Sequence, residues 1–499
     1  MATSQAWLKT LVKKGWKVSS DSKAREHIKR FISAYETSKR VLLIDSAGWH
    51  GDIYVLPSGR TIGTVEGEKP LLYTPVENKF KTNGTLEDWQ KTIGAWAVGN
   101  SRMMMAINAT LATFLLRYYG WAESFGVHFY GNSSRGKTTT IQAAASCCGS
   151  GSITNGYISS WLSTVNGIEG SAAQHNDAPL FLDEMGKADA KVVESSAYVI
   201  AGGQSKARMK ENATLQKSQA WRTIVISTGE QTFEKMLTNA GIRPKAGQLV
   251  RFLDVSAPKD SQHGFFEDIH ADEFESGNAF ANAIKQAAAT HYGHVAPAFI
   301  KCLIKAGHDK IEERLKAYLA RNINTLCGEG VDPQVERVAG HFLLCAFAGR
   351  IAAEWGILPW ETRDAFRAVK SCFQGWLAIR GSTGAMEDKA IITHVKRFIK
   401  THDSRFHNLD ARKSPGIRDR AGFKSRAKTG EMLYLFPRES FHREVCDGLS
   451  TTQAAIVLHR HGMLKKNAGD NYTIKRPTGN LKGEERQRCY AVIMPDEDE

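Results

Sequence analysis

Hydrophobic and polar positions follow different patterns in successive parts of the 499-residue chain. Residues 1–84 contain short apolar runs, such as RVLLID and DIYVLP, separated by Gly, Pro, Ser and Asn, which is typical of short strands and turns. From Thr85 onwards apolar residues recur at helical spacing, with Thr85 as a candidate N-cap and Asp88 three residues later. The pattern therefore predicts a small β-rich N-terminal domain that is followed by helices.

Four apolar, strand-like runs alternate with helical segments in residues 85–260. These runs are VHFY, APLFLD, RTIVIST and LVRFLDV. Such alternation predicts a parallel sheet covered by helices, an α/β core. Residues 261–385 have an Ala-rich helical pattern nearly throughout, so we expect an α-helical domain or lid after the sheet.

The last part of the chain, residues 386–499, begins within a stretch containing Gly and Ser, IRGSTGAMED. Its pattern predicts a helix, a strand, two short helices and a hairpin, an order that suits a winged helix. Basic residues outnumber acidic ones in this part. The sequence thus predicts a multidomain protein: a β-rich N-terminal domain, an α/β core, a helical domain and a C-terminal winged-helix domain.

Charge and the ends of the chain limit the function classes. The chain has 66 Lys and Arg against 52 Asp and Glu, a formal net charge of +14, so its surface should attract polyanions, with nucleic acid the first candidate. The N-terminus lacks the apolar core of a secretory signal, and a cytoplasmic location is expected. Met103–Leu116 is shorter than the roughly 20 residues that a membrane span needs. We expect it to be a buried helix and expect no membrane partner.

The sharpest chemical signal is GNSSRGKT, a full GxxxxGK[ST] motif between the strand VHFY and an Ala-rich helix. Backbone N–H groups of such a P-loop, or Walker A motif, surround phosphates, and the positive end of the helix dipole faces them. We expect Lys137 to contact the β and γ phosphates of ATP and Thr138 to bind Mg²⁺. The predicted ATP-binding residues are Gly131, Asn132, Ser133, Ser134, Arg135, Gly136, Lys137, Thr138 and Thr139.

A second motif, APLFLDE, is an apolar strand that ends in Asp183 and Glu184, downstream of the P-loop. This is the Walker B pattern of nucleotide-hydrolysing proteins. Asp183 is expected to hold Mg²⁺, and Glu184 to orient and polarise the attacking water.

Two further elements are candidates for nucleotide sensing and for catalysis between subunits. The strand TIVISTGE ends near Ser227 and Thr228, where an AAA+ ATPase places its sensor for the γ-phosphate, although most AAA+ proteins carry Asn there. The run LVRFLD is similar to the motif that carries the arginine finger in helicases of the minichromosome-maintenance type. Such a finger can change the rate about a thousandfold. Arg251 is the candidate, and Arg243 is the alternative.

Basic residues occur at every second position after Gly202. This alternation places Lys206, Arg208 and Lys210 on one face of a strand, and a turn-like ENAT and Lys217 follow. The pattern predicts a β-hairpin with a basic face. In a ring it would point into the pore and grip the phosphates of a single strand; a merely solvated hairpin is the alternative.

Together these motifs resemble the family named domain of unknown function 927, AAA+ proteins of prophages and other mobile genetic elements, some of them minichromosome-maintenance-like replicative helicases. The resemblance is carried by LEDWQ, GVHFYGNSSRGKTTT, Trp161 with Thr164 and NGIE, NDAPLFLDE and WRTIVISTGE. It implies a P-loop AAA+ core and a hexameric ring driven by ATP. It also implies that DNA passes through the pore and that the C-terminal winged helix holds duplex.

The expected function is that of an ATP-dependent DNA helicase or translocase in the replication of a phage or mobile genetic element. Glu184 would activate water, while Lys137 and Arg251 would stabilise charge on the transferred phosphoryl group. Two alternatives stay open. One is an ATP-controlled DNA-binding or origin platform that does not unwind, and the other is an AAA+ switch that acts on protein in phage defence.

Overall fold

A computed structural model gives the structure of this chain. The residues that it describes are 6–13, 15–36, 40–65, 67–72, 79–120, 124–206, 218–242, 244, 246–380, 386–411, 417–427, 430–446, 450–466, 472–477 and 486–494. Four residues with predicted roles, Arg208, Lys210, Lys217 and Arg243, lie outside the described residues.

Two helices precede the strands of the N-terminal part. They are α1 (Ala6–Lys13) and α2 (Ser22–Ala34), and the Asp21 carboxylate caps α2 by accepting from two backbone N–H groups of its first turn. The expectation that residues 1–84 are β-rich is therefore wrong for their first part. The apolar residues of AWLKTLVK recur at helical spacing, and this periodicity, rather than the turn residues further on, decides the local structure.

The strands of the N-terminal part form two small sheets. In chain order they are β1 (Val41–Ile44), β2 (Gly48–His50), β3 (Ile53–Val55), β4 (Thr61–Ile62) and β5 (Lys69–Leu72). Strands β2, β3 and β4 are antiparallel, whereas β1 and β5 pair in parallel. The backbone N–H of Trp49 donates to the buried Asp177 carboxylate at 3.1 Å, and Arg222 pairs with the same carboxylate at 2.8 Å. These contacts tie the N-terminal strands to the central sheet.

A five-stranded parallel sheet lies at the centre of the chain, which confirms the prediction from the alternating pattern. Its strands are β6 (Phe125–Tyr130), β7 (Ser159–Ser160), β8 (Leu180–Asp183), β9 (Ile224–Gly229) and β10 (Phe252–Ser256). Across the sheet their order is β10-β6-β9-β8-β7. Strand β9 thus separates β6, which precedes the P-loop, from β8, which leads into the Walker B acids.

Helices precede and connect these strands. They are α3 (Leu86–Trp89), α4 (Ser101–Ala112), α5 (Lys137–Ala145), α6 (Val165–Gln174), α7 (Ala190–Gly202), α8 (Phe233–Asn239) and α9 (Ala246–Leu249). Thr85 caps α3 as predicted, because its hydroxyl accepts from the backbone N–H of Asp88 at 3.0 Å. Every residue of α4 is buried. Among the described helices, none is both long enough and apolar enough to cross a membrane.

Five more helices follow the sheet. They are α10 (Gly277–Thr290), α11 (Val295–Ala306), α12 (His308–Cys327), α13 (Pro333–Glu354) and α14 (Asp364–Arg380). Helices α13 and α14 pack against α4, and their buried residues belong to the same hydrophobic core as those of β6 and β9. The helical segment therefore shares its core with the sheet, and the domain boundaries at 84, 260 and 385 stay predictions.

Residues 386–494, called the C-terminal module below, have hydrophobic clusters of their own. The elements are α15 (Met386–Thr401), β11 (Phe406–Asn408), β12 (Gly422–Arg426), β13 (Met432–Pro437), α16 (Arg438–Ser440), α17 (Thr451–Arg460), β14 (Ile474–Pro477) and β15 (Arg486–Met494). The strands form a mixed sheet in the order β11-β12-β13-β15-β14. The predicted succession of helix, strand, short helices and an antiparallel strand pair is present, with β11 and β12 in addition.

Candidate nucleotide-binding site

The loop between β6 and α5 carries the P-loop motif and turns sharply into the helix. Gly136 has a φ of 91°, a left-handed conformation that glycine adopts without strain, and α5 begins at the next residue. A Cβ atom at Gly136 would lie 2.8 Å from the ring of Phe266. The backbone N–H of Phe265 donates to the carbonyl of Arg135 at 2.8 Å. The segment after β10 thus supports the loop and leaves room only for glycine at its turn.

The Lys137 ammonium lies inside the curve of this loop. It donates to the backbone carbonyls of Gly131 and Asn132, each at 2.7 Å. Burial lowers the pKa of Lys137, and the nearby carboxylate of Glu230 opposes that shift. These two carbonyl groups hold the ammonium of Lys137 inside the loop, where it is placed to meet phosphate oxygens.

The predicted polar residues of three motifs meet at the carboxyl ends of β8 and β9. The hydroxyl of Thr138 donates to the Asp183 carboxylate at 3.3 Å, and the hydroxyl of Thr228 donates to the same oxygen. The Thr228 oxygen accepts from the backbone N–H of Glu184 at 2.9 Å. Burial raises the pKa of Asp183, while the two hydroxyls favour its charged form. Oxygen donors of this kind suit a hard cation such as Mg²⁺.

A cavity of about 670 Å³, called the catalytic cavity below, opens beside this cluster. Glu184 lies on its wall with a left-handed φ of 58°, and its half-exposed carboxylate pairs with the Lys187 ammonium. Glu230 lies on the same wall and accepts from the hydroxyl of Ser133. A carboxylate that reaches solvent beside a candidate metal site is placed as a water-activating group must be.

Ser227 and Thr228 face opposite sides of β9. Thr228 lines the catalytic cavity, whereas Ser227 is buried and accepts from the indole N–H of Trp161 at 2.7 Å. His128 Nε2 lies 3.0 Å from the carbonyl of Gln231, which can only accept, so Nε2 carries the proton. The Ser227 hydroxyl therefore donates to His128 Nδ1 at 3.0 Å. Burial lowers the pKa of His128 to about 4, which keeps the ring neutral. Of the two sensor candidates, Thr228 is the one that lines the catalytic cavity.

Arg251 lies at the opposite end of the sheet. The backbone N–H of Gly126, at the start of β6, donates to the Arg251 carbonyl at 2.7 Å. The P-loop begins at Gly131, beyond the other end of that strand. At about 3.3 Å per strand residue, the separation is on the order of 16 Å. The structure therefore does not bring Arg251 to the catalytic cavity of its own chain.

Backbone hydrogen bonds join the two ends of the predicted basic hairpin. The backbone N–H of Ser205 donates to the carbonyl of Gln219 at 2.8 Å, and that of Trp221 donates to Gly203 at 2.9 Å. The two ends of the segment therefore run antiparallel. Lys206 is exposed at this base, and the three other predicted DNA contacts lie outside the described residues.

Sequence reasoning missed the parts played by Glu230, His128 and Trp161. Glu230 follows the sensor strand directly, and ligands of parallel sheets bind at the carboxyl ends of strands, so its position was a usable signal. The contacts of His128 and Trp161 with Ser227 join segments far apart in the chain, and no local pattern indicates them.

Comparisons with known proteins add to this picture. A family model described as domain of unknown function (DUF927) matches residues 1–221. The match includes the P-loop and Walker B motifs and ends before β9. A search of curated proteins gave no significant match.

Among solved structures, the chain is similar to one described as "SCCmec type IV Cch - active helicase". The TM-score is 0.69 at 17% identity, and the match covers 98% of this chain and 86% of that chain. The two proteins therefore share a fold. NtrX from Brucella abortus in complex with ATP matches with a TM-score of 0.22 at 17% identity, over 54% of this chain and 66% of that chain. A score this low does not indicate a shared overall fold.

Proposed function

We propose that this protein is an ATP-dependent DNA helicase or translocase, a ring-forming AAA+ motor that replicates a phage or mobile genetic element. The observation that carries the proposal is the cluster in which Thr138 and Thr228 donate to Asp183 while Thr228 accepts from the backbone of Glu184. It joins the P-loop, the Walker B acids and the sensor strand in one site. Such a site serves phosphoryl transfer, in which positioning and charge stabilisation do most of the catalysis.

In this proposal each residue has one role. Thr138 and Asp183 hold Mg²⁺ on ATP, Lys137 stabilises the charge of the β and γ phosphates, and Glu184 orients the attacking water. Thr228 senses the γ-phosphate, since it lines the catalytic cavity. Ser227 lies on the opposite side of β9, where its hydrogen bonds with Trp161 and His128 position the strand end that carries Thr228.

The distance of Arg251 from the catalytic cavity of its own chain supports a role between subunits. An arginine finger acts on the ATP of a neighbouring subunit, so it must lie away from its own P-loop. We propose that Arg251 reaches the neighbour's γ-phosphate in a hexameric ring. Arg243 is the alternative finger. Substituting Arg251 and Arg243 in turn and measuring the rate of ATP hydrolysis distinguishes the two.

DNA contacts complete the proposal. The antiparallel base around Lys206 supports a hairpin that carries Arg208, Lys210 and Lys217 towards single-stranded DNA in the pore, and the net charge of +14 supports binding of polyanions. The order of elements in the C-terminal module supports a winged helix that holds duplex. The shared fold with Cch, which is described as an active helicase, supports the same activity here.

Unwinding of a labelled forked duplex with Mg²⁺ and ATP tests this function. We expect strand separation by the native chain, none by Lys137→Ala, and weakened separation by Lys210→Ala, which should still hydrolyse ATP. Lys316→Ala, at an exposed site on α12, is the matched control and should unwind normally.

One observation favours a second candidate, an ATP-controlled DNA-binding platform. The C-terminal module has its own core, so it could bind duplex whether or not the motor turns over. Duplex affinity that persists in Lys137→Ala, together with a native chain that separates no strands on either fork polarity, would support the platform and contradict the helicase. ATP hydrolysis that DNA does not stimulate would instead support a switch acting on protein.

A further inference from the structure

A second cavity, of about 930 Å³, lies on the other side of the P-loop. It is called the distal cavity below. Both cavities are lined by Ser134, Lys137 and Thr138, but only the distal cavity continues along α5 to Thr139 and Gln142. The phosphate-binding loop therefore forms a wall that the two cavities share.

The positions of the acids decide which end of a nucleotide faces which cavity. Asp183 and Glu184 lie on the side of the catalytic cavity, so the terminal phosphate of a bound triphosphate points there. A P-loop wraps around the phosphates of an extended nucleotide, so the nucleoside lies on the side of the loop away from the terminal phosphate. Among the cavities lined by described residues, the distal cavity lies on that side.

The lining of the distal cavity suits a flat, partly polar ring. Its apolar surface comes from Ile153, which is 52% exposed, the ring of Phe266 and the methyl group of Ala281. Exposed polar side chains of α10, Asn278 and Lys285 among them, also line the cavity.

Gln142 provides the specific signal. Its side chain lines the distal cavity and is only 6% exposed, and within the described part of the chain its Oε1 atom has no hydrogen-bond partner. A buried carbonyl oxygen without a donor is costly, by about 1 to 3 kcal/mol. The site is therefore completed by a ligand that brings an N–H or O–H group to this atom.

We propose that the distal cavity binds the nucleoside of ATP and that Gln142 selects adenine, its Oε1 accepting from the exocyclic amine of the base. A glutamine amide pairs with the N6 amine and a ring nitrogen of adenine, whereas guanine presents a carbonyl oxygen at the corresponding position. This inference rests on the proposed ATPase function and adds the residue that recognises the base.

Isothermal titration calorimetry of the full chain with Mg²⁺ and either ADP or GDP, without DNA, tests it. We expect the native chain to bind ADP more tightly than GDP. Gln142→Leu should weaken ADP binding about tenfold, change GDP binding much less, and leave the affinity for inorganic tripolyphosphate unchanged, because that ligand has no nucleoside. Gln286→Leu, on the exposed side of α10, is the matched control and should behave like the native chain.

Each other outcome overturns the inference in a recognisable way. ADP binding that is unchanged in Gln142→Leu leaves the ATPase standing and removes Gln142 from base recognition. An equal loss of ADP and tripolyphosphate binding assigns Gln142 to packing of the P-loop. A native chain that binds neither ADP nor tripolyphosphate contradicts the proposed function itself.

Ala281→Phe, which fills the distal cavity from α10, repeats the test independently and should weaken ADP binding but not tripolyphosphate binding.

Discussion

The carboxyl ends of the central strands, where the P-loop lies, bury very different groups from the C-terminal module. At these strand ends Lys137, Asp183, Ser227 and Thr228 are all buried. Lys137 is hydrogen-bonded within its own loop, and the other three are hydrogen-bonded to different segments. The C-terminal module instead buries aromatic rings. Phe406, Phe436 and Phe441, for example, meet in edge-to-face contacts with centroids 5.2 and 5.6 Å apart.

This difference indicates where chemistry and where stability are located. Burying a charge or a hydroxyl is unfavourable unless it is paired, so a sequence that buries several at one strand end uses them for something besides folding. The C-terminal module also buries one partner of an ion pair, Asp388, which accepts from Arg460 at 2.9 Å, whereas other pairs, such as Lys424 with Asp403 at 2.6 Å, lie nearer the surface. Most of its described interior is an ordinary hydrophobic core.

The largest expected effect comes from neutralising Asp183, the buried carboxylate at the carboxyl end of β8. Asp183→Asn should lower ATP hydrolysis about a thousandfold, because a bound metal supplies several kcal/mol of transition-state stabilisation and each 1.36 kcal/mol or so is tenfold in rate. Phosphate release measured with Mg²⁺ and ATP checks this. The matched control is Asp403→Asn, which should keep native hydrolysis. Comparable losses in both variants would mean that the two regions do not differ as proposed.

A core truncation in the C-terminal module should have the next largest effect, on stability alone. Phe436 is fully buried, and Phe436→Ala should lower the free energy of unfolding of the module by about 3 to 5 kcal/mol. Differential scanning calorimetry should show the transition of the module shifted or lost while the central transition and ATP hydrolysis remain. Phe436→Leu, which keeps most of the volume, should shift the same transition less. If both transitions moved together, the cores would not be independent.

The parts of the site that the sequence predicts are those made by contiguous segments. A strand, a glycine-rich turn and a helix start form a local unit, so the positions of Gly136, Lys137 and Thr138 follow from spacing alone. The Walker B acids are predictable for the same reason, since parallel strands have their carboxyl ends on the same side of the sheet.

The parts that were not predictable depend on register between distant segments. The choice of Thr228 over Ser227 needs the pairing of β9 with β6 and β8, because a shift of one residue would exchange their faces. In the sequence Gln142 is one more polar residue on an Ala-rich helix. Its place in a cavity depends on the packing of α10 and the segment before it, which line the same cavity. The two N-terminal helices are different: their periodicity is present in the sequence and was outweighed by the turn residues that follow.

The smallest effect concerns Asp254 on β10, a buried carboxylate of the central sheet that accepts from the backbone N–H of Phe233 at 3.1 Å. Burial raises its pKa to about 7. A carboxyl group whose folded pKa is raised stabilises the protein fully below its unfolded pKa and loses that contribution as the pH rises through the folded value. Between about pH 6 and pH 8 the titration of Asp254 alone should therefore cost the central transition about 1 kcal/mol of stability, a loss superimposed on the gain from buried neutral histidines such as His128. Calorimetry at the two pH values should show that Asp254→Asn removes this loss and that the same substitution at exposed Asp260 keeps it; an unchanged pH dependence in Asp254→Asn would locate the titrating group elsewhere.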